Sequence, residues 1–560
     1  MQSLIRRIAA NLSIYRTSYQ AIQNINDSRH EKKYHRHYSH HFNTKNITYT
    51  AVGTCLGYCL YKEKKGKDAE GSKGEDTEEP NKNEIVAGKF TEKLPFYSVE
   101  EISRHTTMKN GVWVIYKEGV YDITDFIIEH PGGDQIFMAA GSSIEPFFYL
   151  HRFHESPHVY EILEKYRIGN LQGGNMHITD DLVDPYDSDP RRHPDLKPLS
   201  LRPFNGNCEP SELVEQFITP NELFYVRNHL PVPLVTDPCN YEIEVVLEGK
   251  DETFTFTLDE LKKLPKHTIV AGMMCSGNRR TEMSKVKRVL GLMWGIGGMS
   301  NATWTGVPLR QVLNLAKLDE NDTKYKHIQF EGIDADVNGK PYSASIPIWK
   351  GTDKRGDVLL AYEMNGEPLP RDHGYPLRVL VPGVAGARSV KWLTKIIVSA
   401  NESDSHYQLK DYKGYSPSTY YNNVDYTKSP AIQELPVTSA ICKPSENDTV
   451  QVNNGTIPVK GYAYSGGGQK IVRVDVTADG GKSWHVADLG HQDTALPPQH
   501  WAWTIWSVSI PVKKDQKKVE IWVKAVDSSY NTQAESFENI YNFRGVLNNA
   551  YNRVTVNLKH

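Results

Sequence analysis

The stretch DFIIEHPGGDQIFMAAGSSIEPFFYLHRFH (125–154) sets the organisation of the chain around it. Pro131 closes a preceding helical turn, because the residue before a proline is pushed out of the helical region. The two glycines that follow let the backbone turn sharply and leave space beside the His130 imidazole. His154 lies 24 residues after His130, in an aromatic-rich segment with apolar spacing. Two neutral imidazoles facing each other can fill both axial positions of a haem iron, which favours electron transfer over oxygen chemistry. His151 competes with His154, and a turn histidine plus a surface histidine is the plain alternative. Upstream, GVWVIYKEGVYDIT (111–124) has apolar runs on both sides of Lys117-Glu118-Gly119, which predicts a hairpin.

The rest of the chain must hold more than this unit. It has 560 residues, and single domains rarely exceed about 250–300, so two to four domains are expected. Hydrophobic residues at 39 % and charged residues at 24 % exclude a fully disordered or collagen-like chain. No stretch reaches the ~20 consecutive apolar residues of a membrane span, so no mature span is expected. A net charge of −3 gives nucleic acid no electrostatic handle. Six scattered cysteines without a Cys-x-x-Cys pair argue against a disulfide scaffold and a cysteine-based zinc finger.

Residues 1–50 carry eight Lys/Arg against two acids. The start MQSLIRRIAANLSIYRTSYQ is basic and acid-free and reads as a mitochondrial presequence, with a disordered basic tail as the alternative. A helix there sets Leu4, Ile5, Ile8 and Leu12 near one face. AVGTCLGYCLY (51–61) is too short to span a bilayer but could act as a sorting stop. The charged stretch that follows cannot bury enough surface to offset its ordering entropy and reads as a linker. Residues 173–195, rich in Gly, Asp and Pro, read as a flexible hinge with a reach of roughly 25 Å.

In the centre, HTIVAGMMCSGNRRTEM (267–283) places Cys275 after an apolar run and before two arginines, which favour the thiolate. A buried structural cysteine and a protease nucleophile are the alternatives, and both leave Arg279-Arg280 without a role. NELFYVRNHLPVP (221–233) and LPRDHGYPLRVLVPGVAGARSVKW (369–392) combine arginines, a lysine and Gly-containing turns that suit a phosphate-bearing organic cofactor. No Walker loop or G-x-G-x-x-G is present, so a nucleotide site lacks support. YEIEVVLEG (241–249) reads as a strand, FTFTLDELKKL (254–264) as a strand passing into a helix, and 377–400 as two strands around a Gly-rich turn. From 430 onward, KIVRVDVTADGGKSWHVADL (470–489), WAWTIWSVSIPV (501–512) and KVEIWVKAVD (518–527) alternate with period two and predict a β-sandwich.

Residues 92–172 resemble a cytochrome b5-type haem domain. The likeness implies His130 and His154 as axial ligands, with His158 against the haem edge. Residues 92–560 resemble the sulfite oxidase family of molybdenum enzymes. The residues carrying that likeness are VRNHLPVP (226–233), CSGNRR (275–280), AYEMNGEPLPRDHGYPLRV (361–379), DYKGYSP (411–417), GYAYSGGG (461–468) and FRGVLNNAYNRV (543–554).

The resemblance implies a multidomain α+β chain. Its parts are targeting and sorting (1–61), a charged linker (62–91), a haem domain (92–172), a hinge (173–195), a mixed α/β molybdopterin domain (196–413) and an immunoglobulin-like β-sandwich that forms a homodimer (414–560). It implies Cys275 as the molybdenum thiolate, and Tyr225, Val226, Arg227, Asn228, His229, Asp334, His373, Arg378, Ser389, Val390 and Lys391 around the pterin and its phosphate. Arg227, Arg280, Arg544, Trp294 and Tyr412 would form the sulfite pocket. The implied reaction oxidises sulfite to sulfate and sends electrons singly through haem b to cytochrome c in the mitochondrial intermembrane space. A nitrate reductase-like enzyme shares both modules but places haem after molybdenum and adds flavin and nicotinamide modules, which are not expected before His560. A non-enzymatic b-type electron carrier is the third reading.

Overall fold

The computed structural model describes residues 86–130, 132–174, 184–336, 339–420 and 423–560. The expected targeting and sorting region, most of the charged linker and Pro131 lie outside the described residues. Strands Gly111–Tyr116 and Gly119–Asp122 form the expected hairpin, with Val114 opposite Tyr121 and Lys117 left-handed in the turn (φ 52°). They join Thr106–Thr107, Arg167–Leu171 and Phe96–Tyr97 in one five-stranded sheet. Side chains alternate across a strand. Val112, Val114 and Tyr121 therefore pack with Phe148 and Leu163 of helices Glu145–Leu150 and Pro157–Glu164, while Ile115 and Val120 meet Ile102 and Leu171 on the other face.

The central domain is built on two sheets. In the first, strands Thr253–Thr257, Glu242–Leu247, Leu393–Ser399, His327–Ala335 and Pro341–Pro347 lie in that order, with Leu393–Ser399 parallel to Glu242–Leu247. In the second, His267–Met274 pairs with Met299–Pro308, which pairs with Leu359–Met364; Arg378–Leu380 lies beside the last. Helix Leu258–Lys263 begins at a capping box between Thr257 and Glu260, where the expected strand passes into a helix. This helix and Leu309–Leu315 close a core that includes Val245, Leu261, Leu313, Phe330 and Ile396. Residues 381–392, between the two strands expected in 377–400, are given to a Gly-containing turn that faces the cavity described below.

The hinge expected over 173–195 has a fastened second half. Arg371 Nη1 donates to Ser188 O at 2.7 Å, Val232 N to Asp189 Oδ1 at 3.2 Å, and Arg192 reaches both Asp189 and Asp372 at 2.9 Å. The polar composition that signals a linker here supplies ion-pair partners for the central domain. Residues 175–183 lie outside the described residues.

The C-terminal sandwich has one sheet of Thr438–Lys443, Thr456–Tyr464, Thr504–Pro511 and Asp488–His491. The second holds Thr449–Gln451, Asn552–Lys559, Lys518–Asp527, Ile471–Thr477 and His485–Val486. Val459, Trp506 and Ile510 meet Val474, Ile521, Val523 and Val556 between them. Among the described residues no helix is long and apolar enough to cross a membrane.

Arg279 ties this sandwich to the central domain. It is left-handed (φ 66°), fully buried and paired with both carboxylate oxygens of Glu282 at 2.8 and 2.5 Å. Its Nη1 donates to Thr438 Oγ1 and Ser439 O of the sandwich. Removing one member of a buried pair typically costs about 3–5 kcal/mol, because the other charge stays buried. Arg279→Met is therefore expected to lower the stability of the catalytic and sandwich domains by about that much. Urea unfolding followed by tryptophan fluorescence tests this, and an unchanged midpoint would refute the structural role.

Candidate active site

Strand His267–Met274 ends at Cys275, whose amide donates to Gly298 O and whose carbonyl accepts from Asn278 N, both at 2.9 Å. The tight turn leaves Cys275 buried, at 8 % exposure, in the wall of a cavity that opens to solvent. Tyr225, Arg227, His229, Asp334, His373, Arg378, Ser389, Val390, Lys391 and Tyr412 line the same cavity. Eleven positions expected from separate stretches of sequence are thus brought to one place.

Most of these groups are held by carbonyls rather than by acids. Arg227 Nη1 donates to Asn228 O at 2.6 Å and Asn205 Oδ1 at 3.1 Å. Arg378 donates to His373 O at 3.0 Å and Ser389 O at 2.7 Å. Lys391 Nζ reaches Asp372 O at 2.9 Å, Arg227 O at 3.2 Å and the Asn228 side chain. Trp392, next to it, is left-handed (φ 52°), a strained conformation for a bulky residue that turns the chain here. Burial pushes Lys391 down to about 7, offset in part by Asp372, and pushes Asp334 up to about 7. Asp334 Oδ1 is buried with no hydrogen-bond partner, and so is Ser276 Oγ, which also lines the cavity. Burial holds His373 down to about 4, and burial with Arg227 holds His229 well below its ordinary range, so both imidazoles are neutral. Such a set fits a polar, anionic cofactor: fixed cations, neutral histidines and orphaned acceptors beside a soft thiol. The thiol would hold a metal, and Arg378, Lys391 and His373 flank the side that would take a phosphate.

Tyr412 follows a wide turn at Tyr407–Asp411 with π-helical geometry, a form common at functional sites. Its hydroxyl lies 2.6 Å from His229 Nε2. Asp411 pairs with Arg544 Nη2 at 2.7 Å and lies 3.1 Å from His406 Nε2, and despite its burial the Arg544 guanidinium, with the His406 contact, holds it far below the usual carboxylate range.

Arg280 runs along a slot beside the cavity. Its Nε donates to Arg544 O at 2.9 Å and its Nη1 to Leu292 O at 2.6 Å. A Cβ on Gly277, Gly291 or Gly545 would come within 2.6–2.8 Å of its side chain, so three glycines form the slot. Burial, offset in part by Cys275, lowers it to about 10.

Besides Arg280, four expected residues are not in the cavity wall. Trp294 is fully buried and meets Tyr225 edge-on at 5.9 Å. Val226 packs with Leu196 and Phe204. Asn228 sits behind Lys391 and donates to Asp372 Oδ1 at 3.0 Å. Arg544 stands at Asp411. Conversely, Phe224, Met273, Tyr342 and Asp372 line the cavity without having been expected to. Asp372 and Asp411 adjoin expected residues within the quoted motifs, which was their available signal, whereas Met273 and Tyr342 carry none.

In the haem domain, the His130 and His154 ring centres are 6.2 Å apart, with planes 13° from parallel. A metal bond of about 2 Å to each imidazole nitrogen, plus ~1.1 Å from nitrogen to ring centre, requires about 6 Å. His154 Nδ1 lies 3.0 Å from His151 O, which fixes Nδ1 as donor and frees Nε2 as ligand. Burial, then His130 and His151, pushes His154 down to about 3. A Cβ on Gly132 would meet His130 Cε1 at 2.7 Å, so that glycine does leave space for the ring. His158 is exposed on the first turn of helix Pro157–Glu164. The domain rests against the catalytic one: Gln135 Nε2 donates to Asp411 Oδ2 at 3.4 Å and Arg288 Nη2 to Glu129 O at 2.8 Å. Burial and Arg227 lower His151, the competing histidine, to about 4.

Three family models match the chain. They are the cytochrome b5-like heme/steroid binding domain over residues 98–172, the oxidoreductase molybdopterin binding domain over 229–407 and the Mo-co oxidoreductase dimerisation domain over 429–559. The chain is 53 % identical over 471 residues to the mitochondrial sulfite oxidase of Drosophila melanogaster, covering 83 % of this chain and 81 % of the fly protein. It is 49 % identical over 461 residues to the sulfite oxidase of Gallus gallus, covering 82 % and 99 %. Among solved structures it is similar to the sulfane dehydrogenase SoxCD from Paracoccus pantotrophus, with a TM-score of 0.52, 25 % identity and coverage of 66 % and 90 %.

The three contacts of Lys391 join the loop of Arg227 to that of Asp372. Lys391→Met is expected to lower cofactor retention about 10- to 150-fold, as losing a charge-assisted contact costs ~1.5–3 kcal/mol. Molybdenum per chain and pterin fluorescence after desalting measure it, and full retention would remove Lys391 from the cofactor site.

Proposed function

Because the chain belongs to the sulfite oxidase family and carries its haem domain ahead of its molybdopterin domain, we propose that it oxidises sulfite to sulfate and passes the electrons singly through haem b to cytochrome c. It is a molybdenum-dependent sulfite oxidoreductase, and molybdopterin and haem b are its cofactors. The observation that carries the reading is the meeting of the Cys275 cavity with a haem domain whose His130–His154 pair is spaced for one metal.

When bound, the molybdenum cofactor supplies the two-electron oxidation of sulfite, with water as the source of the oxygen gained. The chain's residues do the rest. Cys275 would hold the metal as a soft sulfur ligand. Arg227 in the cavity wall, Arg280 in the slot beside it and Arg544 at Asp411 would supply the positive charge that draws in a small oxyanion, and the buried setting strengthens that attraction. Burial keeps His229 neutral, so its 2.6 Å contact with Tyr412 joins two neutral groups and fixes the phenol oxygen in the cavity. Trp294 supports Tyr225 from behind. His130 and His154 would hold the haem iron between them, and a haem so held would supply one-electron transfer, which suits a one-electron protein acceptor such as cytochrome c.

Haem ahead of molybdenum supports this reading over the nitrate reductase-like arrangement. The dimerisation-domain match over 429–559 supports a homodimer. The basic start of the chain and the mitochondrial fly relative support the mitochondrion, with the intermembrane space as the compartment where cytochrome c is met.

Two crossed variants separate the half-reactions. Cys275→Ser should abolish sulfite oxidation while leaving the haem spectrum intact. His130→Ala should abolish cytochrome c reduction while sulfite oxidation continues with an artificial acceptor that takes electrons from molybdenum. Wild-type turnover in the first, or loss of both activities in a folded second, contradicts the scheme.

A second test concerns the oxyanion contacts. Arg227→Gln, Arg280→Gln and Arg544→Met should each lower kcat/KM for sulfite by roughly 10- to 150-fold, the range of one charge-assisted contact. Lys470→Ala in the sandwich should change it little. Unchanged kcat/KM in all three arginine variants would remove them from the pocket.

A further inference from the structure

Asp184 stands between two arginines that belong to different domains. Its Oδ2 accepts from Arg152 Nη2 of the haem domain at 3.2 Å and from Arg202 Nη1 of the catalytic domain at 3.1 Å. The Arg152 and Asp184 side chains are only 22 % and 19 % exposed. Arg152 is oriented from its own side by Glu155 at 2.6 Å and by the Tyr149 ring, 4.3 Å from the guanidinium carbon. Two residues after Asp184, the buried Tyr186 donates its hydroxyl to Leu150 O, one of the carbonyls left open at the end of helix Glu145–Leu150. Leu150, Arg152 and His154 share the turn that carries the expected axial ligand. From Tyr186 the chain runs to Asp189 and Arg192, which bind the catalytic domain at Val232 and Asp372.

We propose that Asp184, with Arg152, Arg202 and Tyr186, is an interdomain clasp that holds the haem domain in the pose from which it receives electrons. This rests on the molybdenum-to-haem relay proposed above. These are positioning residues, since none touches substrate or cofactor. The step they serve is the passage of one electron to ferric haem, which becomes ferrous, with no bond made or broken in the chain. The clasp sets the fraction of molecules in the right pose. The contacts of Gln135 and Arg288 with the other domain use an amide and a carbonyl, whereas Asp184 neutralises two facing cations. Removing its charge takes away the carboxylate that Arg152 and Arg202 share and leaves Arg152 to Glu155 on its own side, and salt weakens the clasp in the native protein.

The test uses the full-length holoenzyme with both cofactors checked by absorption and metal content. Flash photolysis gives the intramolecular transfer rate at low and high salt, and solution scattering gives the radius of gyration under the same conditions. The wild type should slow and expand as salt rises. Asp184→Asn should be about 3- to 5-fold slower at low salt, should lose most of the salt dependence and should be expanded throughout. Asp184→Glu should recover the rate, and Arg152→Gln combined with Asp184→Asn should be no slower than Asp184→Asn alone, because both act through one contact. An Asp184→Asn protein with wild-type rate, salt response and radius overturns the clasp. Failure of the wild type to show any photoinduced transfer overturns the relay instead, and the radius of Asp184→Asn then decides the clasp by itself.

Discussion

Positive charge buried without equal negative charge is the constraint on which the catalytic domain depends. Arg280, Arg378 and Arg388 are at most 6 % exposed, yet their hydrogen bonds run largely to backbone carbonyls such as Leu292 O, Ser389 O and Ile432 O. Carbonyls satisfy the donors and prevent the cost of unpaired polar groups, but they leave the net charge in place. The loops that supply them must therefore be fixed to within hydrogen-bond distance. The result is a cavity whose field favours anions before any anion arrives.

The same constraint explains why some carboxylates of the site stand behind it. Asp372 is taken up by Arg192 and Asn228, and Asp411 by Arg544 and His406. Asp334 faces the cavity, but burial favours its uncharged form. Each acid thus either positions a cation or is itself neutralised, and the pocket keeps its sign.

Local pattern made the hairpin of 111–122, the capping-box helix, the sandwich strands and the glycine beside His130 legible, because each follows from neighbours in sequence. Cys275 and most of the cofactor-facing residues were legible through long ordered motifs. What was hidden depends on side-chain direction. Arg279 and Arg280 are adjacent and chemically alike, but the left-handed turn at Arg279 sends one to Glu282 and the sandwich and the other to the cavity side. Trp294 and Val226 were expected at the site and instead point into the core. Residues 184–195 have the composition of a free linker, and only their partners, some of them more than a hundred residues away at Arg371 and Asp372, turn them into a strap in three dimensions.

The glycine slot around Arg280 enlarges the mutational target of this enzyme. Gly277, Gly291 and Gly545 perform no chemistry, but the smallest possible addition at any of them, one methyl group, displaces a guanidinium beside the cavity. They are spread over 268 positions of the chain, and one lies in a loop of the C-terminal region far in sequence from the thiol. Sensitivity to substitution therefore reaches three positions that hold no reacting group, because each helps fix the course of the Arg280 side chain.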